Sequence, residues 1–206
     1  MKQNAASTNN MPCELVTWGQ FNELSRTLAH SIRSTGYNID LLVAIGRGGY
    51  MPGRIVSDIL GVMNLTTFKI EHYHGSRKSD EAFIRYPLVT EVEEQNILLV
   101  DDVSDSGDTF KIAMEHIKTL GTPKHIKTAV LHHKAVSSFV PDHYAALVKQ
   151  WRWIIYPWAV TEDLAVLIDA IEPAMVDIED IQNRLLENHG IKPTVEQIRD
   201  ALTLIH

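Results

Sequence analysis

The chain has a single cysteine, Cys13, among 206 residues. That excludes an internal disulfide and fits a reducing compartment. No apolar run nears the roughly 20 residues that span a bilayer. The opening, MKQNAASTNNMPC, lacks the hydrophobic core of a secretory signal. A soluble, cytoplasmic protein with no membrane partner is therefore expected. Basic residues are scarcer than acidic ones, 19 against 26, for a net charge of −7. This argues against a nucleic-acid surface, with only a local basic patch at Arg77 and Lys78 to set against it. Structural-zinc spacing is missing too: the ten histidines group closely only as His132-His133 and His72-x-His74, with no compact His/Cys/Asp set. What the chain does have is apolar mass. A hydrophobic content of 45% can bury a substantial core in one domain with an appendage.

Residues 1–13 are polar and aperiodic, and a structureless tail is expected. Phe21, Leu24, Leu28 and Ile32 recur at helical spacing and predict an amphipathic helix over Trp18–Ser34, stopping near Gly36. Short apolar runs predict strands at Leu41–Ile45, Leu65–His72, Ile97–Val100, Ile126–Leu131 and Arg152–Tyr156. Helices fit between them at Pro52–Leu60, closed by Gly61, and at Thr109–Leu120. This alternation predicts an α/β fold with a parallel sheet and right-handed crossovers. After Trp158 the pattern turns helical, at Leu164–Ile171, Ile178–Leu186 and Val195–Leu204. His189-Gly190 reads as a stop, and Thr194 as an N-cap with Gln197 three residues on. The expected organisation is a tail (1–13), an α/β domain (14–160) and a helical extension (161–206). Packing against the core or a neighbouring subunit is the plainest role for the extension; a partner-binding module is the alternative.

The most informative segment is Ile97–Phe110, ILLVDDVSDSGDTF. An apolar strand runs into adjacent carboxylates, Asp101 and Asp102. Ser104, Asp105, Ser106, Gly107, Asp108 and Thr109 then lead into a helix. Ligands of open α/β sheets sit at the carboxyl ends of strands. Two acids there can hold sugar hydroxyls or a hard cation, and a Ser/Gly/Thr loop opening a helix offers amides and hydroxyls to an anion. Together they describe a receptor for a sugar phosphate. Upstream, the run Leu41–Ile45 is followed by Gly46, Arg47, Gly48 and Gly49. Glycines let backbone approach a ligand, and an arginine fork suits phosphate. GRGGYMPG lacks the spacing of a dinucleotide fingerprint.

On these two segments the chain resembles the type I phosphoribosyltransferases. The likeness is greatest to the 6-oxopurine branch, the xanthine-guanine and hypoxanthine-guanine enzymes of bacteria and archaea. Three further places carry it: Val16–Trp18 before a helix, Lys134 after the strand Ile126–Leu131, and Trp151–Trp158 (WRWIIYPW). The likeness spans roughly residues 15 to 158. It implies the type I phosphoribosyltransferase fold, a twisted parallel sheet flanked by helices with a small hood, here followed by the helical extension. It implies purine salvage: transfer of a 5-phosphoribosyl group from phosphoribosyl pyrophosphate to guanine, hypoxanthine or xanthine, with magnesium as cofactor. A homo-oligomer, dimer or tetramer, is implied as well.

Residue by residue, the resemblance assigns Asp101 and Asp102 to the ribose hydroxyls and magnesium. Ser104, Ser106, Gly107, Asp108 and Thr109 fall to the 5′-phosphate, and Gly46, Arg47, Gly48 and Gly49 to the pyrophosphate. Asp105 is the matching general base or hydrogen-bond partner of the purine. Lys134 corresponds to the lysine on the 6-oxo group, Trp153 to the stacking aromatic, and Ile154 offers its backbone to the base edge. Arg47, Asp105 and Lys134 are the expected catalytic set. Tyr73–Arg85 falls where the family carries a mobile loop, with Arg77, Lys78 and Arg85 as candidates to reach the reacting centre; an exposed hairpin tip is the plainer reading. Ala159 stands where the bacterial relatives carry an acid after Pro-Trp, which leaves the preference among the three bases open. A different acceptor base, or a protein that senses phosphoribosyl pyrophosphate or nucleotides without turnover, is the alternative function.

Overall fold

The computed structural model describes residues 10–72, 82–171 and 177–205. The chain divides into two compact units, one formed by Asn22–Gln150 and the other by Met1–Phe21 with Trp151–His206.

The first unit is built on a six-stranded sheet. In chain order its strands are β2 (Leu41–Gly46), β3 (Leu65–His72), β4 (Ala82–Tyr86), β5 (Asn96–Ser104), β6 (His125–Lys134) and β7 (His143–Val148). Across the sheet they run β4-β3-β2-β5-β6-β7. Every pairing is parallel except β3 with β4. Helix α1 (Trp18–Ser34) begins in the other unit and continues into this one; α2 (Tyr50–Leu60) and α3 (Asp108–Leu120) complete the set.

Period-two alternation divides the sheet's apolar residues between two faces. Leu41, Val43, Ile45, Ile97, Leu99 and Val130 form one core with Phe110, Ala113 and Ile117 of α3. Leu42 and Ala44 face the other way, where Gly53 of α2 lies against them. Helix α2 closes at Gly61, whose N–H returns to Asp58 O. Strand order reverses between β2 and β5, since β3 lies outside β2 on one side and β6 outside β5 on the other. In open α/β sheets that switch point opens a crevice at the carboxyl ends of the strands.

The other unit pairs β1 (Cys13–Leu15) in parallel with β8 (Trp153–Ile155), Cys13 opposite Trp153 and Leu15 opposite Ile155. Its core draws Ile155 together with Leu164 and Ile168 of α4 (Val160–Asp169), Ile181 and Leu185 of α5 (Ile178–His189), and Ile198 of α6 (Val195–Leu202). Helix α6 opens with the expected capping box of Thr194 and Gln197. Helix α5 closes at Gly190. Among the described residues no helix is long and apolar enough to cross a membrane.

Several expectations are corrected. Strand β5 does not stop at Val100 but runs through both aspartates to Ser104. Its ladder with β6 continues through Asp101↔Val130 and Ser104↔His133, and backbone hydrogen bonds do not require apolar side chains. Strand β6 likewise runs on through His132 and His133, so Lys134 is its last residue. The segment around Arg152–Tyr156 is a strand, but in the two-stranded sheet rather than the main one. Strands β1, β4 and β7 are additional. Met11 and Pro12, placed in the tail, are held by hydrogen bonds from His189 and Trp153, and Cys13 opens β1; residues 1–9 lie outside the described residues.

Candidate active site

The loop after β2 and the end of β5 meet at the switch point. Gly48 sits against the Asp102 carboxylate so closely that an added Cβ would overlap it. The Gly46–Arg47 peptide is cis, and Arg47 is exposed at the tip of this turn. The two segments singled out in the sequence are thus brought together, with an acid of one against the backbone of the other.

The adjacent acids differ in surroundings. Asp101 is 8% exposed, and its Oδ1 accepts from the Asp102 N–H at 2.9 Å. Burial, and then the charge of Asp102, push its carboxyl well above the ordinary carboxylate range. Burial pushes Asp102 up to about 6 against hydrogen bonds and the Lys134 charge, which act the other way. Removal from water disfavours a carboxylate unless a cation or donors compensate. Such a pair favours an incoming cation or hydroxyl donors.

Lys134 is 2% exposed and pairs with the 40%-exposed Asp105 at 2.6 Å. A terminal strand lysine is by default a solvated group; here the ammonium is buried and its charge faces a loop carboxylate. Next to it, burial followed by the Lys134 charge pushes His132 down to about 4. Metal-ligand geometry at the histidines is not found: among the described residues no group of three or more His, Cys, Asp or Glu is placed to hold a metal ion. His74 lies outside them.

The loop from Asp105 to Gly107 opens α3. Gly107 is its N-cap, with φ +93°, a left-handed conformation that favours glycine. The Ser106 hydroxyl accepts from Asp108 N at 3.3 Å. Asp108 turns to Lys111, 3.3 Å away, and Thr109 follows in the first helical turn. The hydroxyl of Ser104, 1% exposed, is hydrogen-bonded to Ser137 at 2.9 Å and to Phe139 O at 3.2 Å. Nothing in the sequence singled out Ser137 or Phe139; their signal is only a Ser-Ser-Phe run after Lys134.

Trp153 and Ile154 belong to the other unit, in β8. Trp153 is half-buried against its core and Ile154 is buried. Trp158 stacks on Tyr156 at 4.7 Å and meets Phe21 edge-on at 4.9 Å, as a core aromatic does. Arg85 lies on β4, 3.9 Å from Glu71 and 5.9 Å from the Tyr86 ring centre. Arg77 and Lys78 lie outside the described residues.

The geometry, a glycine turn, paired acids, a helix-opening loop and a buried lysine at one switch point, agrees with the comparisons. The phosphoribosyl transferase domain model matches residues 14–163, and the chain belongs to that family, with the type I phosphoribosyltransferase fold. Among its relatives is the xanthine-guanine phosphoribosyltransferase of Gluconobacter oxydans, 31% identical over 144 residues, 69% of this chain and 82% of the relative. The purine phosphoribosyltransferase from Pyrococcus horikoshii superposes with a TM-score of 0.64 at 32% identity, covering 72% of this chain and 94% of that one. A hypothetical protein from Neisseria gonorrhoeae with bound ppGpp reaches the same TM-score at 25% identity, covering 86% and 97%.

Proposed function

We propose that the protein is a purine-salvage enzyme that transfers the 5-phosphoribosyl group from phosphoribosyl pyrophosphate to a 6-oxopurine: guanine, hypoxanthine or xanthine. The observation that carries this reading is the contact of the Gly46–Gly49 turn with Asp102 at the switch point, one strand from the Lys134–Asp105 pair. A bond forms between a purine ring nitrogen and the anomeric carbon while the bond to pyrophosphate breaks. The proton of the ring nitrogen passes to Asp105. Asp101 and Asp102 hold the ribose hydroxyls, and the amides of Ser106–Thr109 at the start of α3 hold the 5′-phosphate. Arg47 and the amides of Gly46, Gly48 and Gly49 take the pyrophosphate. Lys134 leaves its carboxylate partner for the 6-oxo oxygen, an acceptor that a 6-amino purine lacks. The base-stacking role of Trp153 and the edge contact of Ile154 are proposed from the sequence alone.

Magnesium is the proposed cofactor. The ion needs only one or two carboxylates and keeps several waters, and two adjacent acids whose charge burial penalises suit it. Bound there it would neutralise charge on the departing pyrophosphate. We place the protein in the cytoplasm as a homo-oligomer; apolar exposure along the edge strand β7, at Tyr144 and Leu147, supports the latter.

The test is pyrophosphate release with magnesium and phosphoribosyl pyrophosphate against guanine, hypoxanthine, xanthine, adenine and uracil. Release with a 6-oxopurine and none with adenine is expected; release with uracil alone would overturn the acceptor assignment. The Neisseria relative with ppGpp, matched over most of this chain, favours a second reading, a nucleotide sensor. Tight ppGpp binding with no release across the panel would establish it.

A further inference from the structure

The segment after Lys134 is bound to the loop that opens α3 more thoroughly than a connection to β7 requires. Ser104 Oγ lies 2.9 Å from Ser137 Oγ and 3.2 Å from Phe139 O. Ser137 Oγ itself donates to Phe139 O at 3.0 Å. Ser138 donates twice to Ser106 O, from its N–H at 3.1 Å and its hydroxyl at 2.8 Å. Lys111 reaches Ser138 Oγ at 2.9 Å. Gly107 lies directly against Phe139, where a Cβ would overlap, and the Phe139 ring stacks on Phe110 of α3 at 5.1 Å with planes 8° apart. At its near end the Ser137 N–H donates to Lys134 O at 2.9 Å.

Each of these contacts constrains a particular part of the loop. The Ser106 carbonyl, fixed by two donors, orients the Ser106–Gly107 peptide and hence the Gly107 amide. The Ser104 hydroxyl is turned onto Ser137 and Phe139. Phe139 closes the side of Gly107 on which a side chain would stand. A loop that cradles an anion with backbone amides pays for any freedom it must lose on binding, so a clamp that fixes its amides beforehand strengthens the cradle.

We infer that Ser137, Ser138 and Phe139 form a positioning strut for the 5′-phosphate loop, setting the affinity for the phosphoribosyl substrate separately from that for the base. The inference rests on the assignment of Ser106–Thr109 to the 5′-phosphate. The strut starts at Lys134, whose ammonium also meets Asp105.

The test compares Ser137→Ala and Ser138→Ala with Thr109→Val in the loop itself. Steady-state kinetics and calorimetric binding of guanosine 5′-monophosphate are the readouts. Losing one such hydrogen bond is worth about five- to tenfold in affinity. The strut variants are expected to raise KM for phosphoribosyl pyrophosphate by about that factor and weaken monophosphate binding alike. The base KM and kcat should stay within about twofold. Ser138 is exposed, so its variant keeps the experiment open if Ser137→Ala folds poorly. A role confined to stability would lower the melting temperature and the active fraction while leaving every KM in place, and that result overturns the inference. An equal rise in the base KM overturns it too, by indicating general loosening. If Thr109→Val leaves monophosphate binding intact, the phosphate-loop assignment fails first and takes the strut with it. If only Thr109→Val weakens binding, the assignment stands and the strut alone falls.

Discussion

The two ends of the main sheet treat the same side chain in opposite ways. At the amino ends, Asp40 precedes β2 and accepts from the backbone N–H and side-chain amide of Asn96, both at 2.8 Å, and from the Asn38 amide at 3.2 Å. The backbone bond from Asn96, chief among these, holds its carboxyl below the ordinary range. At the carboxyl ends, burial drives Asp101 and Asp102 of β5 upward. One strand, Asn96–Ser104, thus touches a carboxylate made comfortable at its first residue and carries two made uncomfortable near its last. A structural acid is placed where donors meet it. At Asp101 and Asp102 burial outweighs the donors and the Lys134 charge that meet them, and under the proposed function a ligand makes up the difference, at a cost in stability to the free protein.

The largest effect should come from the carboxyl end. Asp105→Asn is expected to cut kcat by roughly 10²–10⁴, the range of a general acid–base group, while phosphoribosyl pyrophosphate still binds. Undiminished turnover would remove Asp105 from the chemistry.

Next, the two ends should respond with opposite sign. Asp101→Asn is expected to raise the melting temperature at pH 7.5 by about 2–4 °C, while Asp40→Ala lowers it by a similar amount and leaves KM and kcat alone. Scanning calorimetry with parallel kinetics checks both, and a melting temperature that falls in both variants would erase the contrast.

Acid provides a finer test. His132 is held at about 4, below the ordinary histidine value of 6.5, so between those values the unfolded chain binds the extra proton and stability is lost as pH falls. Asp102 is held at about 6, above the ordinary aspartate value of 3.8, so the folded chain binds the extra proton and stability is lost as pH rises. The two oppose one another between about pH 4 and 6. Melting curves across that range should show a steeper acid loss in Asp102→Asn than in the wild type, and a shallower one in His132→Gln. The smallest effect is expected at the solvated pair Arg54–Asp58, 3.5 Å apart. Arg54→Ala should move the melting temperature by no more than about 1 °C.

The elements around the switch point were legible where chemistry and hydrophobicity coincide. The apolar run of β2 with its glycine turn, and that of β5 with its acids, placed both segments at the carboxyl ends of the sheet, where Gly48 meets Asp102. The ends of strands were not, because side-chain polarity marks them and backbone pairing ignores it: Asp101–Ser104 and His132–Lys134 lie beyond the expected strand ends yet continue the ladders. Strand β7 was hidden for a related reason. Asp142, just before it, accepts from Thr128 and Lys127 of β6, so a polar residue that interrupts the apolar pattern also anchors a strand. Lys134 was found through a family likeness, but its burial was not, since no sequence pattern announces that a lysine will have a carboxylate waiting.

The pairing of β1 with β8 bears on the order of events during synthesis. Asn22–Gln150 is contiguous, and all six strands of its sheet are present once residue 148 has left the ribosome. The strand Cys13–Leu15, made before that sheet, has its only described partner at Trp153–Ile155, and the core behind that pair draws on Ala201, further on still. Closing so long an interval is slow compared with local pairing, and domains tend to fold as they emerge. The first strand therefore waits for its partner through the synthesis of the whole Asn22–Gln150 unit, and that unit can close before the pair forms.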